Sequence, residues 1–271
     1  MSAPVMSEPE IVVVADPAAA TDEAARRIAA TLAAAAGERG RADWAVSGGS
    51  TVVGIYRALA SPPLRDAVPW PAVQAWWGDD RYVPLDHPLS NVKPFDDILF
   101  DIGETEEGTA GVRTAVPLPI DHLHPFRAGE AIAEGRGAQW CADMMAAELR
   151  AAGPAMVDGW PVFDLIGLGM GADGHSLSVF PGSPAFDSMA LALPIPAPTH
   201  IEPHVSRLTL NPAVVTAARA VLVVATGADK AATVADVLGP VDDVRRWPAQ
   251  VARRAGATWI LDEAAAGRLS R

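Results

Sequence analysis

Between Gly167 and Gly182 the chain reads Gly-Leu-Gly-Met-Gly-Ala-Asp-Gly-His-Ser-Leu-Ser-Val-Phe-Pro-Gly, placing Asp173, Gly174 and His175 together just after an apolar run, Val162 to Leu168. An imidazole beside a carboxylate is suited to accept a proton near neutral pH. Glycine lets the backbone turn sharply and come close to a ligand. The same residues would also make a plain glycine-rich turn with a solvated His, and by themselves they leave both readings open.

Two other apolar runs end in polar, glycine-bearing turns. In Ala45-Val46-Ser47-Gly48-Gly49-Ser50-Thr51, a helix begins with Val53, Ile55 and Tyr56. Backbone N–H groups at that helix start, with the Ser50 and Thr51 hydroxyls, would make an anion site; a capped turn fits equally. Gly48 to Thr51 has neither the Gly-Lys-Ser/Thr ending of a P-loop nor the spaced glycines of a dinucleotide fingerprint, which argues against ATP and NAD. In Trp76-Trp77-Gly78-Asp79-Asp80-Arg81-Tyr82-Val83-Pro84, two carboxylates and an Arg leave a strand end together. Adjacent side chains point to different sides, so at most one carboxylate faces a given pocket, and a salt-bridged turn is the alternative. Trp76 and Trp77 read as core, and Ser90-Asn91 as a helix cap, with a functional hydrogen bond as the alternative reading. Two cations follow the His: Arg207, suited to bidentate phosphate contact, and Lys230, a point charge.

The elements that must position these residues alternate. Ile11 to Val14, Trp44 to Ser47, Val73 to Trp77, Val162 to Leu168, Val221 to Ala225 and Thr258 to Leu261 read as strands. Helical patterns lie between them, around Ala24 to Ala35, Trp140 to Leu149 and Ala231 to Leu238. That order predicts an α/β fold with a mostly parallel sheet flanked by helices and right-handed βαβ units. Ligands of such sheets bind beyond the carboxyl ends of the strands, where the three turns fall. The first helix is expected to open at Thr21-Asp22-Glu23, with acids in its first turn, and to stop at Gly37 and Gly40. The Pro-rich stretches Ser61 to Pro71, Pro117 to Pro125 and Pro181 to Pro203 read as loops. No domain boundary or repeat interrupts the pattern, so residues 1–271 are expected to form a single domain.

With 271 residues, 50% hydrophobic, the chain has the material for a sizeable core. Its formal net charge of −12 argues against nucleic acid or an anionic membrane as partner, while a few focused cations still suffice for a small anion. Cys141 is the only cysteine, so no internal disulfide forms. No signal-peptide pattern or apolar stretch of about 20 residues is present, and the expected location is a reducing cytoplasm. Asp121-His122-Leu123-His124 lies on a Pro-flanked loop away from Cys141, and His87, His200 and His204 sit in Pro-rich loops. No metal site is expected there.

Taken together, Ser47 to Thr51, Asp79 to Pro84 with Ser90-Asn91, Gly169 to His175 through Phe180-Pro181-Gly182, Arg207-Leu208-Thr209-Leu210, Lys230-Ala231 and Trp259-Ile260-Leu261-Asp262 give the chain its resemblance to a known family. It resembles the family that joins 6-phosphogluconolactonases with glucosamine-6-phosphate deaminases, from about residue 10 to the C-terminus. The resemblance implies one Rossmann-like α/β domain that hydrolyses 6-phosphoglucono-δ-lactone without metal or organic cofactor. It implies His175 as the general base, Asp173 as its neighbour, and Gly48, Gly49, Ser50, Thr51, Asp79, Arg81, Arg207 and Lys230 as contacts to the sugar phosphate. Two positions depart from the family pattern. Val52 replaces a Pro that would preset the first helical turn, and Asp80 replaces a Glu, which puts a direct role for that carboxylate in question. The deaminases continue the turn with a carboxylate, absent from Val179-Phe180-Pro181, so deaminase/isomerase chemistry is the lesser alternative. A non-catalytic sugar-phosphate sensor is a more remote one.

Overall fold

The computed structural model describes residues 8–100 and 115–269. Its strands are β1 (Glu10–Val14), β2 (Ala42–Val46), β3 (Val73–Trp77), β4 (Asp79–Arg81), β5 (Leu123–His124), β6 (Met156–Val157), β7 (Trp160–Pro161), β8 (Leu165–Gly169), β9 (Ala192–Ile195), β10 (Arg207–Leu210), β11 (Ala220–Ala225) and β12 (Ala257–Asp262). Its helices are α1 (Pro17–Arg39), α2 (Ser50–Leu59), α3 (Leu64–Ala67), α4 (Val92–Leu99), α5 (Ala128–Ala133), α6 (Ala138–Ala152), α7 (Ala213–Ala217) and α8 (Ala231–Leu238).

Seven strands form one sheet in the order β1-β12-β11-β8-β2-β3-β5, every neighbour parallel. Six of them carry the apolar runs picked out above, although β8 starts at Leu165 rather than Val162. Central β2 is buried at every position, as a parallel strand covered on both faces must be. The chain leaves β2 towards β3 on one side and β8 towards β11 on the other, which makes β2 and β8 the switch point of the sheet. They pair only through Trp44↔Leu165 and Ala45↔Ile166.

Two Pro-rich stretches expected to be loops contain strands. β5 is two residues long, too short for periodicity to reveal, and is held at the sheet edge by pairing with Ala75 and Trp76 and by His124 stacking on Trp76 at 3.8 Å. β9 contains Pro194, tolerated because β9 is the edge of a three-stranded antiparallel sheet ordered β4-β10-β9. The third stretch, Ser61 to Pro71, holds α3.

Helix α1 also starts earlier than expected. The Asp16 side chain accepts from the Ala19 N–H at 2.8 Å, with Pro17 in the first turn, so Asp22 and Glu23 fall beyond the helix start. Glu23 pairs instead with Arg26 and Arg27. The helix passes through Gly37 and ends at Gly40, whose φ of 71° completes the cap. Ala24, Ile28, Leu32 and Ala35 face the core, where α1 packs on β12, β2 and β11. Asp16→Ala removes the cap acceptor and is expected to lower unfolding free energy by about 1 kcal/mol, read as a shifted denaturant midpoint at unchanged slope.

Candidate active site

Beyond Ala45 and Ile166 the two switch-point strands part, and one cavity opens between them. Its walls include Val46 to Gly49 from the first strand end and Gly167 to Gly171 from the second. Of the residues singled out in the sequence, Gly48, Gly49, Thr51, Asp79, Arg81, His175, Arg207 and Lys230 all line it. The Ser50 side chain lies outside the described part of the structure, and Asp173 stands behind His175 rather than in the wall.

Gly48 and Gly49 are required by two different constraints. A Cβ at Gly48 would lie 1.7 Å from Asn91 Oδ1, whereas Gly49 has open space but a φ of 116°, which L side chains rarely adopt. The N-cap of α2 is Gly49, which has no side chain to cap it, and the first-turn amides are oriented as an anion site. Tyr56 is fully buried beneath them and donates to Ser47 O at 3.3 Å. Burial, then the Asp79 charge, pushes its hydroxyl pKa upward.

Asp79 and Asp80 point apart, as alternation in a strand demands. Asp79 lines the cavity, accepting from Ser178 Oγ at 2.7 Å and Asn91 Nδ2 at 3.3 Å. Asp80 is fully buried away from it and accepts from the Arg81 N–H at 2.7 Å, the Asn91 N–H at 2.6 Å and Ser90 Oγ at 3.0 Å. It therefore organises the chain entering α4. The Asn91 side chain does not cap that helix; it reaches back to Asp79, and Ser90 Oγ takes the Val92 N–H at 3.1 Å.

Arg81 and Arg207 sit directly opposite each other across β4 and β10. Arg81 donates to Leu89 O at 2.6 Å and Arg207 to Pro203 O at 2.9 Å. Each retains a buried Nε with no partner among the described residues. Burial, then the charge of Arg81, lowers the Arg207 pKa, opposed by Asp79 and Asp80. Two facing guanidiniums with unused buried donors match the demands of an anionic group.

The Asp-Gly-His turn is built around missing side chains. A Cβ on Gly171 would come within 2.1 Å of His175 Nδ1 and 2.6 Å of Asp173 Oδ1, and one on Gly174, at φ 81°, within 2.7 Å of Trp247. His175 Nδ1 lies 2.5 Å from Asp173 Oδ1, which also accepts the His175 N–H at 3.1 Å. A carboxylate only accepts, so the Nδ1 proton is fixed there and Nε2 is left as the basic nitrogen. Burial would raise the Asp173 carboxyl, but hydrogen bonding and charge from His175, then a hydrogen bond from His200, hold it well below the usual carboxylate range. Beyond His175, Leu177 takes a φ of 54°, turning the chain so that Ser178 reaches Asp79.

Asn91, Ser178 and His200 were not among the residues expected to build the site. Asn91 reads from the sequence as a helix cap, with a functional hydrogen bond as the alternative. Ser178 follows an unforeseen turn, and His200 reaches Asp173 Oδ2 at 2.8 Å from a stretch with no periodic signal.

This arrangement is that of an α/β sugar-phosphate enzyme built at a switch point. A family model described as glucosamine-6-phosphate isomerases/6-phosphogluconolactonase matches residues 15–260, and the chain belongs to that family. A 6-phosphogluconolactonase from Streptomyces coelicolor is 32% identical over 97% of this chain and 95% of its own. The solved 6-phosphogluconolactonase of Trypanosoma brucei superposes with a TM-score of 0.79 at 27% identity, covering 97% of this chain and 100% of that one. A monomeric glucosamine-6-phosphate deaminase superposes with a TM-score of 0.75 at 16% identity, over 95% of this chain and 99% of its own, which shows a shared fold alone.

Burial raises the Asp80 carboxyl from 3.8 to about 7, against hydrogen bonds from Asn91 and Arg81 and with the Asp79 charge adding to the rise. The folded chain thus holds a proton that the unfolded chain releases, and the associated stability, complete below the unfolded value, is lost as pH rises to about 7. Asp80→Asn keeps an acceptor for both N–H groups and is expected to flatten this fall, measured as denaturant midpoints between about pH 4 and 8; an unchanged slope would assign it to another group.

Proposed function

We propose that this chain hydrolyses 6-phosphoglucono-δ-lactone to 6-phosphogluconate, the second step of the pentose phosphate pathway, without metal or organic cofactor and in the cytoplasm. The observation that carries the reading is that a single cavity is lined by His175, whose Nδ1 is tied to Asp173, together with Arg81, Arg207 and Lys230. The near full-length likeness to enzymes of that name supports the substrate. Among the described residues no helix is long and apolar enough to cross a membrane.

In this reading Nε2 of His175 takes a proton from a water as its oxygen attacks the lactone carbonyl. The ring C–O bond then breaks, and the proton passes from the imidazolium to the departing ring oxygen, so the base is regenerated. Asp173 fixes the tautomer and stabilises the transient imidazolium. Arg81, Arg207, Lys230 and the first-turn amides of α2 hold the phosphate and nearby hydroxyls, with Asp79 available to accept from one of them. Phosphate and carbonyl are remote on the substrate, so grip and chemistry are separable.

His175→Ala is expected to cost about 10²–10⁴ in kcat; near-normal kcat in the variant would reassign the base. Arg207→Ala and Lys230→Ala are expected to act mainly on KM, each losing roughly 1.5–3 kcal/mol of charged hydrogen bonding. Equal KM for an unphosphorylated gluconolactone would remove these cations from phosphate binding.

A further inference from the structure

The Pro-rich segment 196–204 contributes Ile201 and Glu202 to the wall of the cavity. Its shape is held by His204, whose Nδ1 donates to Pro198 O at 2.7 Å and whose Nε2 lies 3.1 Å from Glu202. Arg207 anchors its end through Pro203 O. From this strap His200 turns away from the cavity and reaches the far side of Asp173, with Nε2 at 2.8 Å from Oδ2. The Phe180 ring contacts both imidazoles, tilted against His175 at 4.8 Å and edge-on to His200 at 5.8 Å.

The two oxygens of Asp173 therefore have separate partners. Oδ1 takes both N–H groups of His175, and Oδ2 takes His200. Because the carboxylate accepts only, His200 Nε2 must carry the proton. With Oδ2 pinned, the carboxylate cannot swing about its terminal torsion, a soft one in a free Asp, without breaking hydrogen bonds on both sides. An imidazole whose partner swings loses its fixed tautomer and its aim, and small displacements of a catalytic group are costly.

We propose that His200 is a positioning residue: by donating to Asp173 Oδ2 it locks the carboxylate so that Oδ1 stays on His175 Nδ1 and Nε2 stays aimed into the cavity. This rests on the reading of His175 as the base. It also ties that base to the strap, so that the segment carrying Ile201 and Glu202 and the group doing the chemistry share one anchor.

The test is steady-state hydrolysis of 6-phosphogluconolactone, corrected for spontaneous opening, by His200→Ala, His200→Gln, Asp173→Ala and the Asp173→Ala/His200→Ala double variant. His200 is half exposed on a loop, and equal melting temperatures would show that folding is intact. His200→Ala is expected to lower kcat about tenfold while KM stays within about twofold, and Gln, whose amide also donates, is expected to restore most of the loss. In the absence of the Asp173 carboxylate, removing His200 should cost nothing more. Unchanged kcat in His200→Ala, a loss carried by KM, no rescue by Gln, or losses that multiply in the double variant would each overturn the proposal. The separate His175→Ala control distinguishes the two levels. If that variant is inactive and His200→Ala is not impaired, only the present proposal falls; if it keeps normal kcat, the functional reading falls and takes this proposal with it.

Discussion

Parallel β2 and β8 hydrogen-bond only around Trp44, Ala45, Leu165 and Ile166, because the chain departs from them in opposite directions. A continuous sheet would have closed this space with backbone. The reversal instead leaves two strand ends side by side with their following loops free to diverge, and those loops carry Gly48 to Thr51 and Asp173 to His175. The remaining walls arrive by long connections: β4 and β10 bring Arg81 and Arg207 into register, and the start of α8 brings Lys230. Residues far apart in sequence meet because the sheet leaves one opening at its carboxyl end.

Filling that opening with charge opposes stability. Two guanidiniums face each other with buried nitrogens unused, and the Asp79 carboxylate is buried in the same cavity wall. Hydrophobic burial elsewhere has to offset this, and the chain has an extensive source. Trp44, Trp76, Trp77, Tyr56, Phe95 and Trp259 are almost fully buried, with Trp44, Tyr56 and Phe95 in mutual aromatic contact. Uncompensated donors in a folded cavity are characteristic of a site arranged for a ligand rather than for maximum stability.

Five strands of the central sheet were legible because burial leaves largely unbroken apolar runs, the edge strand β1 because its β-branched Ile11 to Val14 run is apolar although Ile11 and Val13 are exposed, and α8 and the body of α6 because their periodicity is regular. β5 and β9 were not, since prolines mark loops and edge strands alike and only pairing distinguishes them. The start of α1 was misplaced because the acids at Asp22 and Glu23 imitate a first turn while Asp16 makes the cap. Within the site, strand-end turns revealed Gly48, Asp79 and His175, and the resemblance gathered Arg207 and Lys230 to them. The His200–Asp173 contact depends on how an irregular segment folds back against the Asp-Gly-His turn, and nothing in local residue type or spacing encodes that path. Asn91 was legible as a helix start, but its reach back to Asp79 depends on Gly48 lacking a side chain.

Leu177, held at φ 54°, adopts a backbone conformation that disfavours side-chain-bearing residues by about 1–2 kcal/mol. Its Cδ2 lies only 2.8 Å from where a Cβ on Gly78 would project, and the next residue is the hydroxyl donor to Asp79. Relaxing this leucine would detach Ser178, and adding bulk at residue 78 would displace the leucine. Variation at these positions is therefore epistatic: the effect of a side chain at residue 78 depends on what stands at 177, and through 177 on how well residue 178 holds Asp79.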